Sequence, residues 1–462
     1  MQRADTDYLV VGAGAMGMAF ADTLVAHCPA HVTIVDRRTQ PGGHWVDAYP
    51  FVRLHQASMF YGAASTVLGD GTIQSDGPEA GLHERATVTE ILAYYDDVMR
   101  RLTGTGQVTF LAGCDYQRDG DEHVAVNAAG EQVQLTVRQR VVDATYLSPA
   151  IPATSPPPFA VADDGLVVTP GQLPAVADAG GHFVIVGSGK TATDAIVWLL
   201  GLGVDPDRIA WVRPRDPWML NRAVVQPDAA VITTLAADTM EAAALAASVD
   251  DMFLRLETAG AMLRIDPDVT PTMARTPTLG VWELELLRTI ARVVRMGHVT
   301  AVSATEICLQ DGVVPLPRGA VVVHCAASGL PNPGMVPVWG HDGIRLQTVR
   351  TGFPCFCAAL AGYVEATRDD DVERNRLCPP NIYGDGLQEW SIMQARGIVA
   401  AATYGAEQDI ATWANATTLN PSRTGPDDHE DPRVQAAATR LAAHAESGLA
   451  NLIAFGQGEL VR

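Results

Sequence analysis

At 462 residues, 47% apolar and 18% charged, the chain is long enough for two or three hydrophobic cores and can bury a large cofactor. Its 32 Lys and Arg against 53 Asp and Glu leave a formal charge of −21 with no basic run to neutralise a phosphate backbone, which excludes nucleic acid as a partner. Cys28, Cys114, Cys308, Cys325, Cys355, Cys357 and Cys378 are scattered and odd in number, without Cys-x-x-Cys or metal-ligand spacing, so reduced thiols, no redox dithiol and no metal site are expected.

In chain order, the first strand-like run is Tyr8 to Gly12, with no signal-peptide pattern ahead of it. A helix from Met16 to about Ala26 and a strand from Val32 to Val35 complete a βαβ unit. Its turn reads Gly12-Ala13-Gly14-Ala15-Met16-Gly17, the G-x-G-x-x-G pattern in strand, turn and helix context. Gly12 makes the tight turn, Gly14 lets a pyrophosphate approach the backbone, Gly17 lets helix pack on strand, and the helix N-terminus faces the phosphates. Asp36 stands 24 positions after Gly12, where an acid accepts hydrogen bonds from ribose hydroxyls. Arg37 beside it is either a further ligand or a solvated charge. Gly42-Gly43-His44-Trp45 follows, two backbone-only residues and an aromatic that can wall a flat ligand.

Thr87 to Leu102 is predicted helical, and Val124 to Val126 with Val133 to Val137, turned at Gly130, form a hairpin. The proline-rich Ser148 to Pro158 reads as a stiff crossover. A second βαβ unit then runs through Phe183 to Val186, a helix from Thr191 to about Leu200, and Ile209 to Val212. The longest apolar stretch, Ala195 to Val204, is about half of a membrane span and belongs to that helix and its end, so no membrane contact is expected.

The second turn is Gly187-Ser188-Gly189-Lys190-Thr191-Ala192, with Ala in place of the third glycine. It resembles a phosphate loop superficially, but that motif needs Gly where Val184 stands in a strand. At the end of the partner strand, where an acid would favour NADH, come Arg213 and Arg215; two guanidinium groups suit the 2′-phosphate of NADPH, unless they are surface arginines on a loop. Thr239 to Leu256 and Val281 to Met296 are predicted helices that either cap a substrate cavity with Trp282 and Met296 or pack the second unit. Ala320 to Cys325 is predicted as a strand. From about Ile392 the chain is mostly helical, with a polar break from Asn420 to Pro432.

The run GAGAMG, an acid, GGHW and then Tyr49-Pro50-Phe51-Val52-Arg53-Leu54-His55-Gln56-Ala57-Ser58-Met59-Phe60-Tyr61 resembles the flavin-containing and Baeyer-Villiger monooxygenases, the class B flavoprotein monooxygenases. The resemblance covers roughly residues 5 to 365. It implies that the first turn holds FAD, with Ala15, Met16, Gly43, His44, Trp45, Ser58 and Tyr61 beside it, and that the second holds NADPH through Gly187, Ser188, Gly189, Lys190 and Thr191. Arg53, His55 and Gln56 are then the flavin-proximal candidates for catalysis. His55 replaces the Asp of the Baeyer-Villiger enzymes and serves either as a donor to flavin or peroxide or as a core histidine. Gln56 replaces the Asn of the flavin-containing enzymes, Phe51 replaces a Gly, and the F-x-G-x-x-x-H-x-x-x-W fingerprint is missing after Phe159.

Arg140 to Thr145 and Val321 to Gly329 resemble the family's hinges between its two domains. The implied architecture is α/β with two Rossmann-like dinucleotide-binding domains, the second inserted in the first. Residues 1–150 and 325–391 form a discontinuous FAD domain, 151–324 an NAD(P)H domain with a helical insert, and 392–462 a helical C-terminal region. The implied activity is a cytoplasmic, NADPH-consuming monooxygenase acting through a peroxyflavin, with O2 and a small organic molecule as substrates; a homodimer is compatible with it. An NADPH-dependent flavin reductase or dehydrogenase, and a non-catalytic flavin-binding or cyclase role, stay open. Thr351 to Cys357 leads into an apolar helix whose N-terminus could stabilise an anionic flavin edge. No Gly-x-Ser-x-Gly elbow is present, which disfavours hydrolysis.

Overall fold

The computed structural model describes residues 2–120, 122–178 and 180–456. Two sheets organise it, the first mixed with a parallel centre and the second all parallel. The first runs in the order Trp339–Gly340, Gly343–Arg345, Gln132–Asp143, Gln2–Val11, Val32–Asp36, Val108–Ala112, with the hairpin Cys114–Asp119 and Glu122–Asn127 attached to Gln132–Asp143. The second is Val167–Val168, Val321–His324, Phe183–Val186, Ile209–Val212, Arg292–Val294, all parallel. In both, the strand before a glycine turn has its βαβ partner on one side and a strand from later in the chain on the other. That is a topological switch point, where a crevice opens at the carboxyl ends of the strands.

The strands are Val- and Ile-rich and buried on both faces, as parallel strands covered by helices must be. The helices Ala15–His27 and Pro354–Thr367 cover one face of the first sheet and touch closely: a Cβ on Gly362 would lie 2.7 Å from the Phe20 carbonyl. The helix Lys190–Gly201 lies on the second sheet. The helix Val88–Gly104 starts at a capping box in which Thr87 Oγ1 accepts from Glu90 N and the Glu90 carboxylate accepts from Thr87 N.

Two expectations need correction. The helix predicted over Thr239 to Leu256 is two helices, Ala229–Leu245 and Val249–Thr258, because Ser248 accepts from Asp251 N and starts a new one. The helix predicted over Val281 to Met296 stops at Leu287, and Arg292–Val294 is the edge strand of the second sheet. Two adjacent valines bonded alongside Trp211 and Val212 suit a strand better than a helix. The C-terminal helical part begins at Leu387, and residues 457–462 lie outside the described residues. Its helices Leu387–Gly405 and Pro432–Gly456 pack against Ala229–Leu245 and Val249–Thr258 around Trp218, Phe253 and Trp390, so the insert and the C-terminal part share one core.

Candidate functional site

The first turn shows why glycines occupy it. Gly12 has φ +107°, and a Cβ on Gly17 would sit 2.0 Å from the Gly12 carbonyl oxygen. Gly43, with φ +59°, comes so near Gly14 that a Cβ on it would lie 2.8 Å from the Gly14 Cα. Asp36, buried at the end of its strand, accepts from Ala13 N at 2.6 Å and Arg38 N at 2.8 Å, which fixes the turn. Arg37 is exposed; Arg38 instead pairs with Asp47.

Thr87, Asp228, Ser248 and Asp370 cap four helices with their own side chains. The helices after the glycine turns begin at Gly14 and Gly189, which offer none, so their first N–H groups stay free for a ligand with oxygen acceptors. In the second turn Gly187 has φ +134° and a Cβ on it would strike the Cys325 carbonyl at 2.7 Å, while a Cβ on Gly189 would meet open space. Ala15, Met16, Ser188 and Thr191 line these turns half-buried. Each turn is shaped for a phosphate group.

Trp45 and Tyr61 form a wall after the first turn: Trp45 Nε1 donates to Tyr61 Oη at 2.7 Å, and both are buried. The His44 ring lies 5.3 Å from that of Trp45, and burial, then Arg38, push its pKa down to about 4. Ser58 is fully buried and committed to the fold, donating to the Glu84 carbonyl and carboxylate and accepting from Ala86 N.

The segment from Gly43 to His55 connects the two turns. It begins against Gly14 and ends on the second unit: Tyr49 Oη donates to Asp194 Oδ2 at 2.8 Å, and Phe51 stacks on Trp198 with ring centroids 4.7 Å apart. The His55 carbonyl accepts from Arg222 Nε at 3.1 Å and from Thr278 Oγ1. Burial, then Lys190, Arg222 and Arg85, hold the imidazole neutral, with its pKa down to about 3. Gln56 beside it is half-buried. Arg53 is exposed and donates to the Arg85 carbonyl at 3.0 Å, so its guanidinium serves the bridge between Arg53 and Thr87.

Three basic residues expected at the second nucleotide are paired with carboxylates of the fold. The Lys190 ammonium turns inward to Asp194 and to Glu283, 2.9 Å away. Arg213 is 1% exposed, stacked 4.4 Å over Trp211 and paired with Asp216 at 2.8 Å. Arg215 is exposed and paired with Asp385. The sequence reading missed Arg295, which shares Asp216 with Arg213 and also reaches Asp266 at 2.6 Å while its side chain stays 31% exposed. It follows the edge strand that had been expected as helix, so nothing in the pattern placed it beside Arg213. Trp282 Nε1 donates to Glu79 and Met296 packs with the core behind the second sheet, which favours the packing alternative. Cys355 and Cys357 are both buried and free; burial pushes the Cys355 thiol up to about 12, so neither is a ready nucleophile.

The family model of the NAD(P)-binding Rossmann-like domain matches residues 10–59. An uncharacterized protein of Mycobacterium tuberculosis is 42% identical over 420 residues, 90% of this chain and 78% of the relative. The FAD-dependent monooxygenase resA of Aspergillus sclerotiorum is 28% identical over 227 residues, 45% of this chain and 36% of that protein. Among solved structures, the polycyclic ketone monooxygenase of Thermothelomyces thermophila matches with a TM-score of 0.54 and 12% identity, over 97% of this chain and 89% of that one. A cyclohexanone monooxygenase mutant from Rhodococcus sp. Phi1 bound to NADP+ matches with a TM-score of 0.52 and 15% identity, over 88% and 98%.

Proposed function

The chain belongs to the same family as the mycobacterial protein and has the fold of the flavin monooxygenases, and from this we propose that it is an FAD-dependent oxidoreductase that draws its electrons from NADPH and inserts oxygen into a small organic substrate. One observation carries the reading: two uncapped helix N-termini at two switch points are joined by a single segment that starts at one turn and ends docked on the helix of the other. Two dinucleotides held so would bring their reactive rings together, and proximity is most of what hydride transfer requires of a protein.

The first turn is assigned to FAD, with Gly12, Gly14, Gly17 and Gly43 allowing backbone approach, Asp36 at the ribose, and Trp45 and Tyr61 as a wall. Gly187, Ser188, Gly189 and Thr191 are assigned to NADPH by their backbone N–H groups. Arg295, the more open guanidinium on Asp216, is assigned to its 2′-phosphate. The bound flavin would supply hydride acceptance and reaction with O2, while His55, neutral at physiological pH, can donate or accept one hydrogen bond without carrying charge. Residues 1–150 with 325–391, and 151–324, are proposed as the two nucleotide domains, consistent with the strands each sheet recruits.

The test is to reduce the purified flavoprotein anaerobically with NADPH, add O2, and compare H2O2 released with NADPH consumed. Release well below stoichiometric with a substrate present, and oxygen from labelled O2 found in the product, supports the monooxygenase. Stoichiometric peroxide across a substrate panel moves the assignment to a reductase, and a flavin that NADPH leaves oxidised removes both.

A further inference from the structure

A chain of six charges, nearly all buried, links the two units and is not used by the proposed chemistry. Arg85 pairs with Glu79 at 2.8 Å, Glu79 with Arg222, Arg222 with Glu283 at 2.6 Å, Glu283 with Lys190 at 2.9 Å, and Lys190 with Asp194. Three cations face three anions, every side chain is at most 12% exposed, and the series ends where Tyr49 Oη donates to Asp194. Glu79, Arg85 and Tyr49 come from the part of the chain before the second βαβ unit; Lys190, Asp194, Arg222 and Glu283 come from that unit and its insert.

Lys190 is the junction of this series. It is the first residue of the helix after the second glycine turn, where a sequence reader expects a phosphate ligand, yet its ammonium has two carboxylate partners and almost no exposure. Glu283 in turn caps the helix Val281–Leu287 by accepting from Gly280 N at 2.6 Å, so the pair ties two helix beginnings together. Asp194, one helical turn along from Lys190, hands the connection across to Tyr49.

Resting on the reading above, we propose that Lys190 is a positioning residue: with Glu283, Asp194 and Tyr49 it clasps the start of the helix Lys190–Gly201 to the Tyr49–His55 segment, and so sets where the two nucleotides lie relative to each other, not how tightly either binds. A ligand and a clasp differ in what they change. Removing a ligand weakens binding, whereas loosening a clasp leaves binding intact and misaligns the reacting rings.

Lys190→Met and Tyr49→Phe separate the two in the flavin-loaded chain. The dissociation constant of NADP+ should stay within about threefold of wild type, while the limiting rate of anaerobic flavin reduction at saturating NADPH should fall by about 100-fold for Lys190→Met and several-fold for Tyr49→Phe. Amide hydrogen exchange over residues 49–56 should quicken in both. Tyr49→Phe removes one hydroxyl and leaves all six charges paired, so it carries the test if Lys190→Met does not fold. A dissociation constant raised about 30-fold with an unchanged limiting rate, or unchanged exchange over 49–56, overturns the clasp. Failure of NADPH to reduce the wild-type flavin overturns the function proposed above, and the exchange comparison then still decides the clasp.

Discussion

His55 shows how a residue can be found in the sequence and its state still depend on the fold. An exposed histidine titrates near 6.5, but this half-buried one is held down to about 3 by desolvation and the charges of Lys190, Arg222 and Arg85. A lowered pKa means that the unfolded chain takes up a proton the native chain refuses. The stability His55 contributes is therefore fully present above pH 6.5 and is lost as pH falls towards 3. Glu283 behaves alike lower down: burial would raise its pKa, but Lys190 and Arg222 outweigh that and hold it down to about 2, so its share is lost only below about pH 4.5. Between pH 6.5 and 4.5 the histidines dominate. His55→Gln should flatten that limb by about 1.4 kcal/mol per pH unit in denaturant titrations, and an unchanged limb would show that the imidazole is not held neutral. The arginines near the second turn give another residue-scale outcome. Arg295 is the more open of the two guanidinium groups on Asp216, and removing it leaves Asp216 and Asp266 facing an incoming phosphate. Arg295→Ala should raise KM for NADPH about tenfold and leave KM for NADH nearly unchanged; an equal rise for both would place the 2′-phosphate elsewhere.

At the scale of elements, legibility follows the range of the interactions. Both βαβ units were readable because a glycine turn, an apolar strand and a helix start are local, and each glycine is demanded by backbone contact: Gly17 by the Gly12 carbonyl, Gly187 by that of Cys325. Arg292–Val294 was not readable, since it becomes a strand only by pairing with Ile209–Val212, some eighty residues earlier. The inward turn of Lys190 was hidden for the same reason, Glu283 being far off in sequence, and Ser58 and Arg53 sit in the expected segment with partners that no spacing announces. The contact between the helices Ala15–His27 and Pro354–Thr367 is equally long-range and makes its own prediction. Gly362→Leu adds side-chain atoms where even a Cβ meets the Phe20 carbonyl at 2.7 Å and Leu24 N at 3.3 Å. Overpacking of this kind costs about 1–3 kcal/mol. Because the displaced helix begins at the first glycine turn, flavin retention after gel filtration should fall along with melting temperature. Lower melting with full flavin content would mean that the turn is held by Asp36 and Gly43 alone.

The whole molecule adds a field to these local arrangements. Its formal charge is −21, and NADPH is itself an anion, so binding begins against repulsion. The groups around the second turn do little to reverse it: Arg213 and Arg295 are matched by Asp216 and Asp266, Arg215 by Asp385, and Lys190 by Asp194 and Glu283. Attraction to a phosphate there is short-ranged, carried by directed N–H groups, whereas repulsion from the molecule as a whole is long-ranged. Salt distinguishes the two, because the screening length shortens from about 30 Å at 0.01 M to about 8 Å at 0.15 M. Distant acidic groups are then silenced while contacts at hydrogen-bond distance persist. KM for NADPH should accordingly fall as ionic strength rises through that range, and more steeply than KM for NADH, which lacks the 2′-phosphate. A KM that climbs with salt would mean that the local basic groups outweigh the net charge.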